Sequence, residues 1–204
     1  MPNAIPILIL AAGSSSRMEG AIKQLLPWGK TTLLGNAIAH AQALSHQVFV
    51  VLGANSKEIQ KTLSQEVITI ENPDWALGMG SSISKGVRHI LTQQKEVKGI
   101  FIMLADQPLI DSVFLKELWQ LYVQKSPKIV ATRYKNKFGV PAIFHHSLLP
   151  ELLDLHQDFG ARQIINNYSK DTLGLDPLGK EFDVDTKEKY TQLLDKMNFK
   201  YENQ

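Results

Sequence analysis

Four short stretches of the chain collect residues suited to anions and metal ions rather than to packing. The first is Gly13-Ser-Ser-Ser-Arg-Met18, with Lys23 shortly after it. A glycine, three small hydroxyl residues and an arginine beyond a strand offer backbone N–H groups and a guanidinium to an anion. Arginine grips phosphate oxygens through paired hydrogen bonds and lysine adds a compact charge, so Arg17 and Lys23 together suit a polyphosphate. A serine-rich turn read alone fits an ordinary strand-to-helix connection with solvated charges better. The second stretch, Asn72 to Ser82, carries Gly78 and Gly80 and enters a helix expected from about Ser81. Its glycines admit a ligand close to the backbone, and the first N–H groups of the helix are free to meet it. The competing reading makes Asn72-Pro73 a turn and Trp75 a hydrophobic plug. The third, Asp106-Gln107-Pro108, places a carboxylate directly after a buried run, where it could hold Mg²⁺ against phosphate oxygens. Asp111 is free to cap the following helix, which leaves Asp106 for that role. The fourth is Asp183-Val-Asp185, whose alternation puts both carboxylates on one side of an expected strand. Asp185 with Glu188 also suits the start of a helix, so Asp185 is either a metal ligand or a cap, and Asp183 is the alternative ligand.

Two better-known phosphate motifs fail. Gly29-Lys30-Thr31 ends like a Walker A loop, but Gln24 stands where that loop needs its first glycine and no strand leads in. Gly78-Met-Gly80 follows the third expected strand rather than the first, and Ile83 fills the place that a dinucleotide fold gives to Gly or Ala.

These stretches need a scaffold that brings them to one edge. Pro6 to Ala12, Val48 to Leu52, Val67 to Ile70 and Gly99 to Ala105 are short apolar runs that read as strands, the first two stopped by Gly13 and Gly53. Helical patterns separate them: Leu33 to Leu44, Ser56 to Leu63 with Ser56 as cap, and Ile83 to Leu91; a fourth follows Asp111. Alternating strands and helices require a mostly parallel sheet covered on both faces, a three-layer αβα architecture. Such sheets bind ligands beyond the carboxyl ends of their strands. After Pro127 the pattern changes to two short strands, Lys128 to Thr132 and Val140 to Phe144, around a polar turn. They read as a small hairpin insertion near 128–144, with Pro141 favouring an edge strand. Helices over 148–155, 161–168 and 187–197 and a short strand over 182–185 complete the chain.

The composition agrees with an ordinary globular protein. Of 204 residues, 44% are hydrophobic and 21% charged, and 22 basic against 20 acidic side chains leave a net charge of +2. That balance gives no argument for a nucleic-acid or membrane partner. The absence of cysteine excludes disulfides, thiolate metal sites and a cysteine nucleophile. The apolar run at Pro6 is too short to span a bilayer and has no basic residue before it, so a cytoplasmic protein is expected.

The motifs in order resemble the MobA-like nucleotidyltransferase family, and within it the molybdenum cofactor cytidylyltransferase branch. The segments are Leu10-Ala-Ala-Gly-Ser-Ser-Ser-Arg-Met18 with Lys23-Gln-Leu-Leu-Pro27; Asn72-Pro-Asp-Trp75 with Gly78-Met-Gly-Ser-Ser82; Ala105-Asp-Gln-Pro108; Gly139-Val-Pro-Ala-Ile-Phe144; and Asp158-Phe-Gly-Ala-Arg162 with Asp183-Val-Asp-Thr186. The chain departs from the family between Met18 and Lys23, where four residues stand instead of three. The resemblance implies a nucleotide-diphospho-sugar transferase-like fold over 1–204 as one domain, a Mg²⁺-dependent NTP site, and transfer of CMP from CTP to the terminal phosphate of molybdopterin with release of diphosphate. It implies Arg17, Lys23 and Asp106 as the catalytic residues. Nucleotide contacts would come from Leu10, Ala11, Ala12, Gly13, Ser14, Ser15, Arg17, Lys23, Gly78, Met79, Ser81 and Ser82. Asp106 with Asp185 (or Asp183) would hold the metal, and Gly139, Pro141 and Arg162 would face the acceptor. A molybdoenzyme that receives the product is the implied protein partner. The alternatives are a guanylyltransferase or a sugar- or alditol-phosphate nucleotidyltransferase of the same fold, and a non-catalytic chaperone for the cofactor.

Overall fold

The computed structural model of the chain describes residues 5–94, 96–135, 137–156 and 160–201. Strand β1 (Ile7–Ala11) is apolar and buried throughout. A two-residue hairpin, β2 (Pro27–Trp28) and β3 (Thr31–Thr32), leads into α1 (Leu33–Gln42), whose first turn is capped by the Thr32 side chain. Then follow β4 (Val48–Leu52), α2 (Ser56–Gln60), β5 (Ile68–Glu71), α3 (Met79–Gln93) and β6 (Gly99–Leu104). Asp111 caps α4 (Ser112–Lys125) by accepting from the Phe114 N–H at 2.9 Å. The second half contains β7 (Ile129–Tyr134), β8 (Lys137–His145), α5 (Leu149–Leu153), α6 (Gly160–Asn167), β9 (Thr172–Leu175) and α7 (Lys187–Tyr201).

The strands form a seven-stranded sheet in the order β5-β4-β1-β6-β8-β7-β9. Every pairing is parallel except the two made by β8. Because side chains alternate across a strand, the apolar runs feed two faces at once. Ile7, Ile9, Val50, Phe101 and Met103 meet α1 and α4 on one face. Leu8, Val51, Ile100, Ile102 and Phe144 meet α3, α5 and α6 on the other. Three layers follow directly, as the alternating pattern requires. No helix among the described residues is long and apolar enough to cross a membrane.

Several details differ from the expectations. The strands at 129–145 are not an edge insertion: β8 lies inside the sheet, between β6 and β7. Pro141 is tolerated there because both ladders lapse at it. Pairing with β6 stops at Ala142, and the register with β7 shifts between Ala131 and Thr132. The Thr132 hydroxyl donates to the Pro141 carbonyl at 2.8 Å across the gap. No strand forms over 182–185; the edge position belongs to β9 instead. The alternation at 182–185 has another cause. Val184 is fully buried against Leu33 and Leu193, and its N–H donates to the Asp106 carbonyl at 2.9 Å. Ser56 does not cap α2, since its hydroxyl donates to Glu71. Helix α3 starts two residues before the expected Ser81, at Met79.

Candidate active site

The chain leaves β1 toward β4 on one side of the sheet and later enters β6 on the other. The crevice at such a reversal is where this architecture binds ligands. A cavity of about 450 Å³ opens there. Of the residues expected to hold nucleotide, Leu10 to Ser14, Lys23, Gly78, Met79 and Ser82 line it, as do the carboxylates Asp106 and Asp185. Ser15, Arg17 and Ser81 do not. Arg17 stands at the rim, its side chain 70% exposed and its guanidinium 3.9 Å from Asp185. The Ser81 hydroxyl is spent on the Asp74 and Gly78 carbonyls and accepts from Asn72.

Lys23 reaches the cavity floor in spite of the longer interval before it. Two tight turns, Met18 N–H to Ser15 O and Ala21 N–H to Met18 O, take up the extra residue. Glu19 and Gly20 adopt left-handed backbone with φ of 50° and 89°. The Lys23 ammonium then donates to Asp106 Oδ2 at 2.6 Å and lies 3.6 Å from Asp185 Oδ1, with its side chain only 17% exposed. Asp185 is therefore not the helix cap. The first turn of α7 is met by the Thr186 hydroxyl, which accepts from the Lys189 N–H. The opposite wall is the start of α3. Gly78 precedes it with a φ of 105°, a conformation that favours glycine, and no side chain caps the helix. Its first N–H groups are left for a ligand.

A second cavity of about 300 Å³ adjoins the first and shares Met79 and Leu104 with it. Gly139 and Arg162, expected toward the acceptor, line it together with Asp183, Gln107 and Tyr134. Pro141 does not line it; its neighbour Val140 does. The Gln107 amide donates to Asp183 Oδ1 and to the Tyr134 hydroxyl, each at 2.8 Å, and that hydroxyl donates to the Val140 carbonyl. Burial raises the Asp183 carboxyl above its ordinary value, Gln107 opposes the shift, and the Asp106 and Asp185 charges add to it. The two carboxylates expected side by side are thus divided: Asp185 faces the first cavity and Asp183 the second. Asp158, part of the motif before Arg162, lies outside the described residues.

The sequence profile of the MobA-like NTP transferase domain matches residues 7–172. The chain belongs to that family. It is 30% identical over 121 residues, 58% of its length, to the molybdenum cofactor cytidylyltransferase of Escherichia coli K12, and the match spans 60% of that protein. It is 29% identical over 201 residues to nicotine blue oxidoreductase of Paenarthrobacter nicotinovorans, covering 92% of this chain and 95% of that one. Among solved structures, Mycobacterium tuberculosis Rv0371c in complex with manganese superposes with a TM-score of 0.72 at 26% identity, covering 95% of this chain and 99% of that one.

The residues at the floor of this MobA-like site fit a divalent cation. Asp106 Oδ1 is buried without a hydrogen-bond partner, so an oxygen ligand stands ready beside the Lys23-bound Oδ2. Carboxylate oxygens are the donors that hard ions such as Mg²⁺ and Mn²⁺ prefer. Three contributors were missed in the sequence reading. Gln24 is buried behind the Gly13 loop, bonding to the Ala11 and Gly13 carbonyls and to Ser15. Gln107 and Tyr134 link the second cavity to Asp183. Gln24 and Gln107 stand inside the quoted motifs, next to the charged residues that drew attention; Tyr134 was assigned to a polar turn and carries no local signal.

Proposed function

We propose that this protein is a divalent-metal-dependent nucleotidyltransferase that transfers CMP from CTP to the terminal phosphate of a molybdopterin-type acceptor. The observation that carries this reading is the convergence of Asp106, Asp185 and Lys23 at the floor of one cavity that shares a wall with a second. Donor and acceptor must meet at such a wall for an in-line displacement. The first cavity would take the nucleotide. Its triphosphate would lie along the Gly13 loop, Lys23 and Arg17 neutralising the β- and γ-phosphates. The uncapped start of α3 would meet the nucleotide from the other side. Asp106 and Asp185 would hold the cation. A bound Mg²⁺ or Mn²⁺ supplies charge neutralisation for the phosphates.

The acceptor phosphate, placed from the second cavity near Arg162, would attack the α-phosphorus of CTP. The new P–O bond forms as the bond to the β-phosphate oxygen breaks, and diphosphate leaves with the electron pair. A phosphate monoester is already ionised near neutral pH, so neither a side-chain nucleophile nor a general base is required. The similarity to a molybdenum cofactor cytidylyltransferase and the Leu10-Ala-Ala-Gly13 signature support cytidine and the molybdopterin class, and a molybdoenzyme as recipient of the product. The enzyme so proposed works in the cytoplasm as a single nucleotidyltransferase domain over residues 1–204.

The test is thermal shift with CTP, GTP, ATP and UTP, each with and without Mg²⁺ or Mn²⁺. A nucleotide at 100 times its dissociation constant adds about 2.7 kcal/mol, and CTP with metal is expected to give the largest shift. Equal shifts for all four would remove the cytidylyl assignment.

A further inference from the structure

Three successive carbonyls in the turn after β1 are all engaged inside the protein. The buried Gln24 side chain, 2% exposed, donates one amide hydrogen to Ala11 O at 2.9 Å and one to Gly13 O at 3.2 Å. Between them, Ala12 O accepts from the Ala54 N–H at 3.2 Å. That approach leaves no room for a side chain at residue 53, where a Cβ would stand 2.5 Å from the same oxygen. The Gln24 amide is itself held in orientation. Its Oε1 accepts from the Ser15 hydroxyl at 3.1 Å, and that hydroxyl also accepts from the Lys23 N–H at 3.0 Å. Ser15 adopts a left-handed φ of 58° to make these bonds.

A carbonyl facing a triphosphate repels it; an N–H attracts it. In a planar trans peptide the C=O and the following N–H point in opposite directions. Turning Ala11 O and Gly13 O onto Gln24 therefore turns the N–H groups of Ala12 and Ser14 away from Gln24. Gly13 and Ser14 line the nucleotide cavity. We infer that Gln24 is a positioning residue for nucleotide recognition: by binding the Ala11 and Gly13 carbonyls it leaves the N–H edge of the loop to meet the phosphate chain. Gln24 also lines that cavity, but both of its amide hydrogens are committed to the loop carbonyls, so it acts through the loop. This rests on the nucleotidyltransferase reading of the cavity, and it deepens that reading by naming what prepares the loop.

The consequence is a loss of affinity that grows with the number of phosphates. Gln24→Met keeps the side-chain volume and removes the amide. Gln24→Glu keeps the shape, loses both donors and adds a negative charge beside two carbonyls. Affinities of the variants for CTP, CDP and CMP, and for inorganic tripolyphosphate, are measured by calorimetry with Mg²⁺. For Gln24→Met the expected loss is at least tenfold for CTP, intermediate for CDP and less than threefold for CMP. Gln24→Glu is expected to lose more than Gln24→Met in every case. Tripolyphosphate should follow CTP. Ser15→Ala, which removes the bond orienting the amide, should reproduce the same order at smaller size, and it carries the test if Gln24→Met does not fold. Unchanged CTP affinity in these variants, or an equal loss for CTP and CMP, overturns the inference. A wild-type protein that binds no nucleoside triphosphate overturns the nucleotidyltransferase reading instead.

Discussion

In the proposed site the Lys23 ammonium competes with a metal ion for Asp106 and Asp185, and its replacement should shift metal affinity in opposite directions with and without nucleotide. Its ammonium is 2.6 Å from Asp106 and 3.6 Å from Asp185, and the side chains of Lys23 and Asp106 are 17% and 18% exposed. A dication bound by both carboxylates would stand within about 4 Å of that ammonium. Charges of +2 and +1 at this separation repel by about 2 kcal/mol even at the dielectric constant of water. Lys23→Met removes this repulsion, so Mn²⁺ alone should bind roughly 30-fold more tightly. Once CTP is present the sign reverses, because the ammonium then has phosphate oxygens to meet. Losing one hydrogen bond to a charged group costs about 1.5–3 kcal/mol, so the metal–CTP complex should bind roughly 10- to 100-fold more weakly. The electron paramagnetic resonance signal of free Mn²⁺ reads both affinities in one titration. Arg17→Ala is the control for general charge. At 3.9 Å from Asp185 and 70% exposed, Arg17 should alter Mn²⁺ affinity by less than about threefold. A Lys23→Met protein that binds Mn²⁺ no better than wild type refutes the argument.

Asp106→Asn should lower turnover on the order of 10³-fold, by removing a charge that holds the metal at the developing phosphate charge. It also leaves Lys23 without its closest carboxylate, so the melting temperature of the nucleotide-free protein should fall by about 2–4 °C; full turnover at saturating Mg²⁺ in a steady-state assay would refute the metal role. Arg162→Ala should raise the KM for the acceptor about tenfold, the cost of one charged contact, and leave the KM for CTP unchanged, because Arg162 lines only the second cavity; a change confined to CTP would place it elsewhere. His40 tests the pH dependence of stability. Burial lowers its imidazole below the ordinary 6.5, partly offset by Asp111, and its Nδ1 accepts the Ser112 N–H at 3.2 Å. The folded state thus protonates His40 at lower pH than the unfolded state does, so this contribution is complete above about pH 6.5 and is lost as pH falls through the lowered value. His40→Asn keeps an acceptor without the charge, and its melting temperature should fall less steeply than wild type between about pH 7 and about pH 5; parallel curves would assign the pH dependence to other groups.

The first half of the fold is legible where its strands are buried on both faces, as β1, β4 and β6 are. Pro6 to Ala12, Val48 to Leu52 and Gly99 to Ala105 are continuous apolar runs, and only a covered parallel sheet explains them. The second half is not, because its positions depend on tertiary gaps. Pro141 signals an edge when read locally, yet β8 is central because its neighbours stop pairing where the proline lies. Thr172–Leu175 is short, contains a glycine and alternates weakly, so nothing in it outweighs the clearer alternation of Phe182 to Asp185. That alternation is real but belongs to an anchor. Val184 is held by core contacts and by the Asp106 carbonyl, interactions between segments 78 residues apart in number and invisible to any local pattern.

The same distinction explains which parts of the candidate site could be read. Charged residues beyond apolar runs announce themselves, because a carboxylate directly after a buried strand has no packing role to explain it; Asp106 reads in this way, and Lys23 reads with the Gly13 loop and through the family resemblance. Their orientation is set by neutral amides, whose residue type carries no such signal. Gln24 reads as a polar residue before Leu25 and Leu26, and Gln107 as part of a turn before Pro108. Yet each donates two hydrogen bonds from a buried position. An amide with both hydrogens committed fixes its partners more tightly than a lone ion pair does, since the direction of every bond is determined. Asp183 shows the effect. Gln107 fastens it to Tyr134 and the second cavity, while Asp185, two residues on and without that amide, turns to Lys23. The choice between two equivalent carboxylates, which no pattern of residue types could make, is made by one buried glutamine.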